Sequence, residues 1–141
     1  MENQNNLDAL RLQIDALDKK LIELLSARAN VVVEVGKFKR GTDAPIYAPH
    51  RERAVLDRVL AENKGPLSDK TIEAVYRELM SGSFQLEQPL KIAHLAPIGS
   101  FSHIASIRHF GSSVECVGVP TIERVFREVA SGHCNYGLVP Y

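Results

Sequence analysis

The 141 residues contain no tryptophan and only two cysteines, Cys116 and Cys134. Two thiols so far apart form neither a zinc cluster nor a redox motif, and plain reduced thiols are expected. GxGxxG, P-loop and HExxH segments are all missing, which excludes the usual dinucleotide, nucleoside-triphosphate and zinc-protease signatures. Neither sign of charge dominates: 17 Lys and Arg balance 17 Asp and Glu, which argues against a nucleic-acid or membrane surface. The polar start MENQNNLDAL has no apolar signal core, and no apolar run approaches a membrane span. A cytoplasmic protein is expected. With 45% hydrophobic and 24% charged residues, the composition is that of a globular chain, and its length allows one domain, or one small domain plus a piece of another.

Proline is also missing from Leu7 to Arg40, and there a long pattern runs unbroken. Apolar side chains recur at Leu7, Leu10, Ile14, Leu17, Leu21, Leu24, Val31, Val32 and Val35, the three-and-four spacing of a helix. Such a helix would be ~50 Å long, beyond the width of a small domain. Its own short chain cannot cover the stripe, so a partner helix is the expected cover. Asn5 or Asn6 is a plausible N-cap, and Gly36 is a weak point tolerable where another backbone approaches closely. Gly41-Thr42-Asp43-Ala44-Pro45 should end the helix.

A second helix is expected over 49–62, with Pro49 as its first residue and an apolar stripe at Val55, Leu56, Val59 and Leu60. A third, capped by Ser68, should run to 87 or 88, burying Ile72, Val75, Tyr76, Leu79 and Met80. After Pro89 the pattern changes to strand–helix–strand–helix–strand, at 90–95, 101–110, 114–119, 121–131 and 136–139. That is the order of a parallel α/β layer, with too little chain to cover both faces of a sheet. The expected fold class is therefore an all-α three-helix domain, 1–88, followed by a partial βαβαβ segment, 89–141.

The exceptions to the apolar stripes carry the chemistry. Arg28 stands where the seam through 7, 14 and 21 calls for an apolar residue. Lys39, eleven residues on, returns to nearly the same face at ~100° per residue. Arg11 lies beside the seam. In the second helix Glu52 falls on the core side, with Arg51 at the stripe's edge, and in the third Ser83 and Glu87 continue the buried stripe. Carboxylates from neighbouring helices could meet these cations, and an exposed helix end would account for Ser83 and Glu87. Buried cations nevertheless need anionic partners, and several together favour an anionic ligand. No histidine or cysteine is among them, so neither a nucleophilic triad nor a metal site is expected. A cationic pocket for a small dicarboxylate, stabilising charge in a rearranging bond, fits best.

The segments ALRLQIDALDKKLIELLSAR, VVVEVGKFK, PHRERAVLDRVL and MSGSFQLEQP closely resemble the helical (AroQ-class) chorismate mutase domain, in the form fused to prephenate dehydratase in bifunctional enzymes of phenylalanine biosynthesis. The resemblance implies an intertwined helical homodimer that rearranges chorismate to prephenate without a cofactor. It assigns Arg28 and Arg11 to the two substrate carboxylates, with Arg11 supplied by the other subunit. Lys39 would donate to the ether oxygen, and Glu52 would accept from the ring hydroxyl, together with a backbone N–H near Ala48. Ser83 would help hold a carboxylate, and Arg51 would support the anionic pocket. Two positions depart from the family pattern: Ala48 stands for a frequent aspartate, and Glu87 for a frequent glutamine. An ionised Glu87 would repel the ether oxygen and a protonated one could donate to it.

Ile92 to His103 (IAHLAPIGSFSH) and TIERVFREVASGHCNYGLVPY resemble the opening of a prephenate dehydratase domain. Ala96, Ile98 and Asn135 replace its usual glycine, glutamate and aspartate, the segment breaks off before the family's later catalytic motif, and dehydratase activity is not expected from so incomplete a domain. A non-catalytic helical dimerisation or regulatory module is the rival reading, favoured by the long seam and opposed by the polar exceptions.

Overall fold

The computed structural model describes residues 1–42 and 48–140. The first helix, α1, spans Glu2–Arg40; α2 spans Pro49–Glu62 and α3 Asp69–Glu87. Strand β1 (Lys91–Leu95), α4 (Phe101–Phe110), β2 (Glu115–Val119), α5 (Ile122–Ala130) and β3 (Tyr136–Leu138) follow. At 39 residues, α1 extends ~58 Å. It begins before Asn5 and Asn6, which are therefore not caps: Asn5 N–H already donates to the Met1 carbonyl. Once a long stripe has nucleated a helix, adding polar residues at its end costs little. Gly41 forms the C-cap, while the expected breakers Asp43-Ala44-Pro45 lie outside the described residues. Pro49 opens α2 and the Ser68 hydroxyl caps α3 through Thr71 N–H. Asn63 ties the two helices by donating to Leu67 O and Asp69 Oδ1, both at 2.9 Å.

Helices α1 and α2 each pack against α3. Val55, Leu56, Val59 and Met80 form the helical core, with Ile72 and Tyr76 against it. Each such aliphatic side chain, fully buried, contributes ~1.5–3 kcal/mol. Val75, expected inside, is 49% exposed and shares a shallow outer patch with Ala74 and Leu79. Only Gly36 of α1 is buried. Leu10, Ile14, Leu17 and Leu21 are all more than half exposed, so the stripe reaches past anything this chain can lay over it.

The three strands are parallel in the order β2-β1-β3. Contrary to expectation, both faces of the sheet are covered. Leu90, Ile92, Phe110 and Val114 cluster on the α4 face, joined by Phe84 from α3. Ala93, Val119, Val125 and Cys134 cluster on the α5 face. A central strand and one helix per face suffice because the sheet is so narrow, and α3 supplies the missing apolar surface. Gly111, which follows α4, has φ +80° and sits against Ser81, which is fully buried. A Cβ there would lie 2.4 Å from Ser81 Cβ. Gly111→Ala is therefore expected to lower stability by ~2 kcal/mol or more, read as a reduced urea midpoint at unchanged slope.

Candidate active site

A cavity of 480 Å³ opens between the three long helices. Arg28, Val31, Val32, Val35 and Lys39 line it from α1, Arg51, Glu52, Val55 and Arg58 from α2, and Met80, Ser83, Phe84 and Glu87 from α3. Ala48, at the N-cap of α2, closes one side. Helical spacing puts each set on one side of its helix. The apolar members form one wall, in which Val55 and Met80 are buried and Val31 and Val35 stay exposed, and the polar members converge on the space it bounds.

Partners on other helices hold the cations in place. Arg28 Nη1 donates to Ser83 Oγ at 3.0 Å, and Ser83 Oγ in turn donates to the Leu79 carbonyl at 2.7 Å. Lys39 Nζ donates to Glu87 Oε2 at 3.2 Å; their side chains are 22% and 10% exposed. Arg51 and Arg58 are exposed at the rim, and their side chains make no hydrogen bond or ion pair to a described residue. Glu52 Oε1 accepts from Arg77 Nη1 at 2.8 Å. Four cations and two carboxylates thus face one cavity, an excess of positive charge that matches a small dianion. Low-dielectric walls strengthen that attraction.

Of the residues singled out in the sequence, Arg28, Lys39, Ala48, Arg51, Glu52, Ser83 and Glu87 all line this cavity. Arg11 does not. It lies 17 residues before Arg28 on the same helix, ~25 Å along its axis, and pairs with Asp8 at 3.3 Å in an exposed position. Arg58 and Arg77 are not among the residues that the sequence singles out. Arg58 stands seven residues after Arg51, two turns along the same side of α2, and that spacing was the available signal. Nothing local marks Arg77 as a partner for Glu52, because the two are 25 residues apart.

Other polar groups lie away from this cavity. Burial pushes both the Cys116 and Cys134 thiols up, which disfavours their thiolate forms. Among the described residues no group of three or more His, Cys, Asp or Glu could hold a metal ion. Asn135 pins β1: its Oδ1 accepts from Lys91 N–H at 2.9 Å and its N–H donates to Lys91 O at 2.8 Å.

The model of the family "Chorismate mutase type II" matches residues 10–88, and that of "Prephenate dehydratase" matches residues 92–141. The bifunctional chorismate mutase/prephenate dehydratase of Pseudomonas aeruginosa is 46% identical over 145 aligned residues, covering 99% of this chain and 40% of that protein. The enzyme of the same description from Aquifex aeolicus is 35% identical, over 95% of this chain and 38% of its own length. The chain thus spans about two-fifths of the length of these relatives. A chorismate mutase structure from Thermus thermophilus superposes with a TM-score of 0.58 at 35% identity, over 59% of this chain and 94% of that one.

The pairing of Lys39 with Glu87 depends on how closely α1 crosses α3. A Cβ on Gly36 would come within 2.9 Å of Glu87 Cα, so the close backbone approach anticipated for this glycine is present. Gly36→Ala is expected to cost ~1–3 kcal/mol of stability by prying the helices apart, measured by urea unfolding.

Proposed function

Because the chain belongs to the type II chorismate mutase family, we propose that its three-helix pocket rearranges chorismate to prephenate. The excess of cations facing a half-buried cavity carries this reading. Chorismate has two carboxylates and an ether bond that gains negative charge on oxygen as it breaks. The reaction is intramolecular, and so needs only a compact conformer and electrostatic support, without cofactor or covalent intermediate. Arg28, aimed by Ser83, takes one carboxylate, with Ser83 as a further donor. Lys39, aimed by Glu87, donates to the ether oxygen. Glu52 accepts from the ring hydroxyl beside the Ala48 backbone, and Arg51 at the rim supports the anion.

Arg11 enters the same scheme from a second copy of the chain. The exposed stripe of α1 is the natural seam of a homodimer, and pairing along it would carry the Arg11 end of one α1 towards the Lys39 end of the other. Residues 1–88 form the catalytic unit in this scheme. Residues 89–141 are a dehydratase-like segment, and prephenate is the product expected of this chain. No helix among the described residues is long and apolar enough to cross a membrane, and a cytoplasmic site of action fits. The exposed stripe alone would also suit a dimerisation module without catalysis. Such a module would have no use for a cationic cavity, and chorismate would not protect it from heat.

The direct test is incubation of the purified chain with chorismate and identification of the product. Prephenate supports the proposal, whereas a folded dimer without turnover overturns it. Glu87 is 8% exposed and faces Lys39. A carboxylate there holds the ammonium but offers the ether oxygen no donor, whereas a glutamine amide can donate to it. Glu87→Gln is therefore expected to keep or raise kcat/KM for chorismate; a large loss would remove this reading of the side chain. Arg11→Ala and Arg28→Ala chains should each be inactive alone. Co-refolded in equal amounts, they should recover about a quarter of the wild-type activity, since a mixed dimer has one intact site of two.

A further inference from the structure

We propose that Arg77 is a positioning residue for Glu52, and that it couples the pocket to the α/β segment through the carbonyl of His109. This rests on the mutase reading and extends it to a residue outside the cavity. Arg77, on α3, does not itself line the cavity, and its guanidinium joins three elements. Nη1 donates to Glu52 Oε1 of α2 at 2.8 Å and to the His109 carbonyl of α4 at 3.3 Å, while Nη2 donates to Glu73 Oε1 at 3.5 Å. The Arg77 and Glu52 side chains are 26% and 13% exposed.

The reason such a clamp matters is the company Glu52 keeps. Lys39, Arg28, Arg51 and Arg58 line the same cavity, and a carboxylate free to rotate would pair with one of them. Each such pairing would neutralise a cation the substrate needs. Arg77 takes Oε1 from behind the wall, which orients the carboxylate and leaves Oε2 for a hydroxyl in the pocket. A guanidinium suits this because its planar fork can serve two acceptors at once, which a lysine ammonium does less well.

The far end of the clamp is itself held. Glu78 accepts from Ser112 N–H at 3.0 Å and from Ser112 Oγ–H at 2.7 Å, and Ser113 N–H donates to Ser81 Oγ at 3.1 Å. These bonds fix the turn after α4 on α3, and with it the His109 carbonyl. The α/β segment thereby contributes to the geometry of the helical site without lining it.

Steady-state kinetics on the full chain test this with Arg77→Met, Arg77→Lys, Glu52→Gln and the Arg77→Met/Glu52→Gln double variant. Arg77→Met is expected to lower kcat/KM roughly tenfold or more, with Arg77→Lys in between. In the Glu52→Gln background the same Met substitution should cost less than about threefold, because it then has nothing left to position. Should Arg77→Met fail to fold, Glu78→Ala frees the turn after α4 from an exposed site. It should lower kcat/KM about threefold in the wild-type background and leave it unchanged beside Glu52→Gln. Losses that multiply in both backgrounds, or unaltered kinetics in the variants, overturn the proposal. A wild-type chain without turnover fails the mutase reading itself, and is seen before any variant is compared.

Discussion

Holding several positive charges around one half-buried space is the constraint to which the helical part of this protein answers. Left alone, Arg28 and Lys39 would repel each other and lose hydration. Each is instead met by a side chain on α3, Ser83 for Arg28 and Glu87 for Lys39. The pocket therefore exists only while α1 and α3 stay in register. That register depends on Gly36, where the α3 backbone comes too close to leave room for a methyl group. Breaking a pair of this kind costs more than the pair contributes, since the surviving charge is left without compensation.

The same long helix that supplies the cations leaves most of its apolar stripe bare. Val55, Leu56, Val59 and Met80 close a small core between α2 and α3, and α1 adds only its C-terminal half to the cavity wall. One helix thus belongs to two environments. Its later residues build a site within this chain, and its earlier residues await cover. A helix ~58 Å long cannot be matched by partners of 14 and 19 residues.

Helix α3 is the shared wall of the molecule. On one side it carries Ser83 and Glu87 to the pocket. Phe84 reaches from the cavity edge to the core beneath the sheet, and Ser81 receives the turn after α4. The two segments are distinct in pattern, yet one helix is packed from both directions. A change in how α4 sits can therefore be felt at Glu52 through Arg77, by contact alone.

Much of this was legible along the chain. Helix periods, the Pro49 start, the Ser68 cap and the α/β alternation are local features, and the elements formed close to where they were expected. The polar exceptions on the apolar stripes were also legible, because a stripe defines a face and a face defines what shares it. The start of α1 was misplaced, since a helix already nucleated runs on through polar residues that would cap a weaker one. Val75 was expected inside because periodicity says which side is apolar but not which part of it a neighbour reaches. Coverage of the sheet was underestimated because Phe84 comes from a helix assigned to the other segment. Helical period picks out which residues share the pocket side of each helix. That Arg28 meets Ser83, Lys39 meets Glu87, and Glu52 turns to Arg77 rather than to a cation in the cavity is settled by the packed helices. Those pairs are 55, 48 and 25 residues apart, and their choice depends on how the helices cross, which no local pattern encodes.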